Sequence, residues 1–211
     1  MISLRLILAL SLFSTFIARA EEVEWLFTYD ADALPEASLP AWKFDGEDAK
    51  PDASIVTDQG SNVLRQNLQP GYMAGWRITG GPNFPLKEAC TVEIRARILG
   101  SKGYVLGAEV RNYWVGGVRF RIASGGVEII TTNDRKAVSH LIDDEFHVYR
   151  LTVEGAVAKL YMDGAKEPLV EIQGSGGDGI WIAFGDVGHL RGSGEVDYDY
   201  VRWTTDGAFA P

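Results

Sequence analysis

Hydrophobic and polar positions alternate along most of this chain. Thr91-Val92-Glu93-Ile94-Arg95-Ala96-Arg97-Ile98 puts Val, Ile, Ala and Ile on one side of an extended segment, with Thr, Glu and two Arg on the other. Val118-Arg119-Phe120-Arg121-Ile122 repeats the scheme, as do Phe146 to Val153 and Val157 to Met162, the last closing on an Asp-Gly turn signal. Glycines punctuate these runs at Gly80-Gly81, Gly100, Gly116-Gly117, Gly125-Gly126, Gly164 and Gly174 to Gly179. The pattern predicts strands near 23–29, 54–57, 62–68, 74–79, 90–99, 103–110, 117–123, 126–131, 146–154, 156–162, 179–184 and 195–204. No stretch of a dozen residues keeps a helical period; 134–141 offers one turn at most. Many short strands in one unit mean a sandwich or a barrel, and the reading is an all-β, two-sheet antiparallel sandwich.

The first twenty residues stand outside that pattern. Arg5 precedes a largely apolar run, Leu6 to Ile17, and Ala18-Arg19-Ala20 offers small residues where a signal peptidase reads. Residues 1–20 are therefore expected to be a signal peptide and 21–211 a single domain, secreted or otherwise extracytoplasmic. With Arg5 and Arg19 gone, 18 Lys and Arg face 29 Asp and Glu, so the formal charge moves from −9 to −11. That balance excludes nucleic acid as an expected partner, because non-specific binding there depends on cationic surface. Membrane insertion is not expected either: the apolar run is short for a span. The single cysteine, Cys90, rules out an intrachain disulfide and reads as a buried, inert thiol.

Several segments carry a resemblance. Phe146-His147-Val148-Tyr149-Arg150-Leu151-Thr152-Val153, followed by Ala158-Lys159-Leu160-Tyr161-Met162-Asp163-Gly164, resembles the paired strands ending in "LYVDG" of the concanavalin A-like, laminin G-like jelly-roll group. Val196-Asp197-Tyr198-Asp199-Tyr200-Val201-Arg202-Trp203 is similar to the closing "DYVRV" strand of family 16 glycoside hydrolases and related lectin-like domains. Thr91 to Ile98 is similar to their "TIEARV" strand. The resemblance covers about half of the chain after the leader and implies a concanavalin A-like jelly roll. It also implies a structural Ca2+ site: the Asp that opens the last strand in the hydrolases falls here on Asp199, with Asp30, Asp45 and Asp48 in regions able to supply further oxygens.

The same resemblance raises catalysis. Glu195-Val196-Asp197-Tyr198-Asp199 is similar to the "ExDxE" strand on which those hydrolases carry a nucleophile and an acid. Two departures weigh against Glu195 and Asp197 in those roles: the third acidic position is Asp, and the segment lies in the closing strand rather than mid-chain. Same-face neighbours on a strand also stand roughly 6.5–7 Å apart, more than the about 5–5.5 Å of a retaining pair. The three histidines, His140, His147 and His189, show no metal-ligand spacing.

The arginines carry the binding expectation. Arg95, Arg97, Arg111, Arg119 and Arg121 crowd into one stretch of an acidic chain, each opposite the apolar residues of its strand, with Glu93 and Glu109 among them. Guanidinium forks match carboxylate and sulfate groups. Tyr113 and Trp114, in a predicted hairpin loop, could stack on sugar rings. Trp25, Trp42, Trp76, Trp181 and Trp203 are expected in the core. One sheet face carrying Arg95, Arg97, Glu109, Arg111, Tyr113, Trp114, Arg119 and Arg121 would bind a polysaccharide or glycan, anionic ones included. The sequence thus favours a secreted, non-catalytic glycan-binding or adhesion module. It leaves open a glycoside hydrolase or polysaccharide lyase on the same scaffold, and a structural protein of the cell envelope.

Overall fold

Apolar residues on alternating positions leave water when two sheets face each other, and here they do. The computed structural model describes residues 23–38, 42–46, 52–69, 74–79, 88–112, 115–177, 181–186 and 192–211. The expected leader, Tyr113, Trp114, His189 and Asp48 lie outside the described residues, as does the side chain of Asp45. The strands are β1 (Phe27–Tyr29), β2 (Lys43–Gly46), β3 (Asp52–Asp58), β4 (Ser61–Leu68), β5 (Ala74–Thr79), β6 (Ala89–Lys102), β7 (Leu106–Asn112) and β8 (Gly116–Ala123). They continue with β9 (Gly126–Ile130), β10 (Arg135–Ser139), β11 (His147–Glu154), β12 (Val157–Met162), β13 (Val170–Gln173), β14 (Trp181–Asp186) and β15 (Ser193–Thr204).

One sheet runs β13-β12-β11-β6-β15-β4-β3, with β1 added alongside β15; the other runs β10-β9-β8-β7-β14-β5-β2. Every pairing is antiparallel, so the class is the expected all-β sandwich. Strands β2, β10 and β13 were not expected, and all three are sheet edges. In place of the single helical turn expected over 134–141, Arg135–Ser139 is a strand that pairs with β9 through its backbone. Its side chains are mostly exposed, so no burial pattern marks it as a strand.

The inner faces interlock as the alternation requires. Val92, Ile94, Ala96 and Ile98 of β6 meet Val118, Phe120 and Ile122 of β8 within one continuous core. Trp42, Trp76 and Trp203 are buried around Phe184, with Trp42 to Phe184 ring centroids 4.7 Å apart and Trp42 to Trp203 5.1 Å. Cys90 is fully buried and burial pushes its thiol up to about 12. Trp25 and Trp181 depart from expectation: both are half-buried, stacked against arginines rather than inside.

Strand β15 carries a bulge. Its register on β6 shifts between Tyr198 and Tyr200, and Tyr198 and Val201 both point into the core. The extra residue turns Asp199 and Tyr200 together toward the outer surface.

Candidate functional site

The chain passes from β6 to β7 through residues 103–105, and in doing so it changes sheets. That crossing corrects the expectation of a single arginine face. Arg95 and Arg97 stand on the outer side of the eight-stranded sheet. Arg111, Arg119 and Arg121 stand on the outer side of the seven-stranded sheet, behind the core.

On the eight-stranded sheet every described arginine of the central strands meets a carboxylate. Asp197 is fully buried and accepts from Arg65 at 2.8 and 2.9 Å and from Arg97 at 2.7 and 3.0 Å. Arg97 also meets Asp58 at 2.9 Å, Arg65 meets Glu195 at 3.3 Å, and Arg95 pairs with Asp199. Phe146 lies under both Arg95 and Arg97, with its centroid 4.6 and 4.7 Å from their guanidinium carbons. Burial alone would raise the Asp197 carboxyl, but the bonds from Arg65 and Arg97 outweigh it and hold the group below the usual carboxylate range. Glu195, Asp197 and Asp199 therefore share an outer face, as period two requires, and each is engaged by an arginine.

A second network on this sheet was not anticipated. Glu93, buried on β6, accepts from Arg150 at 2.6 Å, from Arg202 at 2.9 Å and from the Tyr200 hydroxyl at 2.7 Å. Trp25 stacks beside Arg202, 4.3 Å from its guanidinium carbon. The signal was present in sequence, since Glu93 shares the polar face of β6, but its partners lie on β11 and β15.

Asp30, Asp32 and Asp199 line one groove with Ser61 and Asn62. Asp199 is paired with Arg95, and among the described residues no three His, Cys, Asp or Glu side chains converge to hold a metal ion. Those side chains do not by themselves make the six to eight oxygens calcium takes.

The seven-stranded sheet is built differently. Its outward rows follow from register: Lys43, Arg77, Ala183, Glu109, Arg119, Ile130 and Arg135 form one row across the strands. Thr79, Trp181, Arg111 and Gly117 form the next. Ala183, Gly185, Gly107 and Gly117 leave the middle of this face low, between longer side chains. Arg111 and Arg77 flank the Trp181 ring, 4.6 and 5.3 Å from its centroid. Arg119 donates to Glu109 at 2.6 and 3.1 Å, while Glu128, fully buried, takes Arg135 and lies 3.6 Å from Arg121. Beside them a depression of about 170 Å³ is lined by Glu109, Arg111, Gly117, Arg119, Ile130, Thr131 and Thr132. On this sheet sequence reading missed Trp181 and Arg77 as site residues, because β14 pairs with β7, and β5 with β14, only through the sheet order.

No family model matches the chain, and no curated protein matches it. Solved structures do match its architecture. A glycosyl hydrolase family protein from Mycobacterium fortuitum is 14% identical over 86% of this chain and 100% of that one, with a TM-score of 0.56. A family 16 glycosyl hydrolase from Mycobacterium smegmatis is 15% identical over 86% and 100%, with a TM-score of 0.55. A β-1,3-glucanase from Mycobacterium marinum is 15% identical over 87% and 100%, with a TM-score of 0.53. With the two antiparallel sheets, this likeness identifies the fold: a concanavalin A-like jelly-roll sandwich.

Proposed function

We propose that this protein is an extracytoplasmic, non-catalytic glycan-binding module whose ligand is an anionic polysaccharide lying across the outer face of the seven-stranded sheet. The observation that carries the reading is the Arg77–Trp181–Arg111 bracket above a low floor of Gly and Ala. Stacking on the indole fixes both guanidinium planes before any ligand arrives, which reduces the ordering cost of binding. A fixed fork suits the two oxygens of a uronate carboxylate or a sulfate ester. The strand positions of this face carry Arg77, Arg111, Arg119, Arg121 and Arg135 against Glu109 and Glu128, in a chain whose formal charge is −9.

Two further observations support it. Proteins of like fold include glycosyl hydrolases and a β-1,3-glucanase, and this likeness supports a saccharide as the class of ligand. The cluster Glu195, Asp197 and Asp199 is held in ion pairs, and an Asp197 carboxyl below its usual range is a poor proton donor near neutral pH. The leader expected over 1–20 supports the extracytoplasmic setting.

Binding of the full chain to alginate, polygalacturonate and a sulfated polysaccharide, with laminarin as the neutral comparison, tests the reading. Each charge-assisted contact contributes about 1.5–3 kcal/mol, so Arg111→Ala should weaken binding roughly 10–150-fold, and raised salt should weaken it further. Absence of binding to all the anionic polymers, or binding indifferent to Arg111→Ala and Trp181→Ala, overturns it. Release of reducing or unsaturated ends from any of them would instead make the protein an enzyme.

A further inference from the structure

The outer face of the eight-stranded sheet holds a pocket that the reading above does not use. Its volume is about 450 Å³, and its walls are Glu93, Val148, Arg150, Tyr161, Asp163, Gly164, Tyr200, Arg202 and Pro211. That volume lies within the range of small-ligand sites.

Its polar groups are held in place from behind. Glu93 receives Nε of Arg150 and Nε and Nη2 of Arg202, and it fixes the Tyr200 ring through the hydroxyl. Trp25 stacks against Arg202. Opposite them, Asp163 is pinned by the Val148 backbone N–H at 2.8 Å and by His147 Nδ1 at 2.7 Å. Each guanidinium has five N–H donors and each carboxylate about four acceptor sites, so both walls keep hydrogen-bonding capacity. Val148, Tyr161 and Tyr200 add apolar surface between them.

Charge separates this pocket from the trough on the other sheet. Two arginines meet the carboxylates of Glu93 and Asp163 here, so the lining does not present the run of cationic groups that would recruit an anion. Planar donors on one wall, a planar acceptor on the other and rings between them match a molecule with vicinal hydroxyls and an apolar C–H face. We propose that this pocket is a second saccharide site, independent of the seven-stranded face, that takes one uncharged pyranose residue.

The full chain titrated with methyl glucoside, methyl galactoside and methyl mannoside, followed by amide chemical shifts and saturation transfer from protein to sugar, tests this. At least one glycoside should give saturation transfer and shift the amides of residues 148, 161–164 and 200–202. Val148→Trp, which enlarges a half-buried lining side chain to fill the pocket, should abolish both signals, whereas Arg111→Ala on the other sheet should leave them unchanged. No transfer from any of the three glycosides overturns the proposal. So do shifts confined to the seven-stranded sheet, a result that would leave the trough reading standing. Should Val148→Trp fail to fold, the map of shifted amides in the unaltered chain decides alone.

Discussion

Replacing Glu93 with Ala should be among the costliest single changes on the surface of this sandwich. The Glu93 side chain is 1% exposed, and its partners Arg150 and Arg202 are 17% and 30% exposed. Removing the carboxylate leaves two half-buried guanidinium groups and the Tyr200 hydroxyl without the acceptor they share. Breaking a buried pair in this way costs about 3–5 kcal/mol, mostly the penalty of the charges left behind. Against a total stability of about 5–15 kcal/mol, that is a large fraction. With a urea slope of about 2–3 kcal/mol per molar, equilibrium unfolding followed by tryptophan fluorescence should show the midpoint fall by about 1–2.5 M at unchanged slope. The triple variant Glu93→Leu, Arg150→Leu, Arg202→Leu removes the whole network and should recover much of the loss, since apolar replacement of a buried cluster is often neutral. A Glu93→Ala midpoint within measurement error of the parent would refute the account. So would a triple variant no more stable than the single one.

Three more expectations concern single residues. Burial alone would lower the His147 imidazole, yet its bonds to Asp163 and Asp143 outweigh that and raise it; with both ring nitrogens facing carboxylates, the imidazolium is the matched form. Its contribution is therefore fully present below the ordinary imidazole value and lost as pH rises through the raised folded value, so the melting temperature should fall across that window and His147→Gln should flatten it. Asp197, held low by Arg65 and Arg97, works in the opposite sense: its contribution is present above the ordinary aspartate value and lost as pH falls through the lowered one. Asp197→Asn should cost about 1.5–3 kcal/mol at neutral pH and shrink the acid limb of a stability–pH profile. At Gly192 an added Cβ would stand 2.0 Å from the Tyr104 carbonyl oxygen, a backbone atom that cannot swing away. Gly192→Ala should lower the thermal midpoint clearly, while Gly125→Ala, which meets nothing within 4 Å, should not.

The fold was legible because burial is local in a strand: Val92, Ile94, Ala96 and Ile98 are inside for the same reason they alternate. Legibility failed where no burial imposes a period, at the exposed edge strand Arg135–Ser139, or where the segment is four residues long, as in Val170–Gln173. It failed more deeply for the arginines. Alternation says whether a side chain points in or out, not which of two sheets it points out from. Arg97 and Arg111 look alike in sequence, yet the passage through 103–105 sets them on opposite sides of the molecule. The partners that decide their roles are remote as well: Asp197 stands one hundred residues from Arg97. Reading Trp25 and Trp181 as core failed for a related reason, since a ring stacked on guanidinium looks, in sequence, like a ring in a core.

The two outer faces should therefore behave as separate energetic units, and this can be measured. Stacked sheets lie about 10 Å apart, and side chains on the two outer faces point away from each other: Glu93 is bonded by Arg150 and Arg202 on one face, Arg119 by Glu109 on the other. Glu93→Ala and Arg119→Ala should add in unfolding free energy to within about 0.5 kcal/mol. Asp197→Asn and Arg97→Ala belong to one network, because Arg97 donates twice to Asp197, and they should depart from additivity by about 0.5–3 kcal/mol. If instead the first pair coupled as strongly as the second, the core would be transmitting strain from one face to the other. Separate ligand sites on the two sheets could then not be treated as independent.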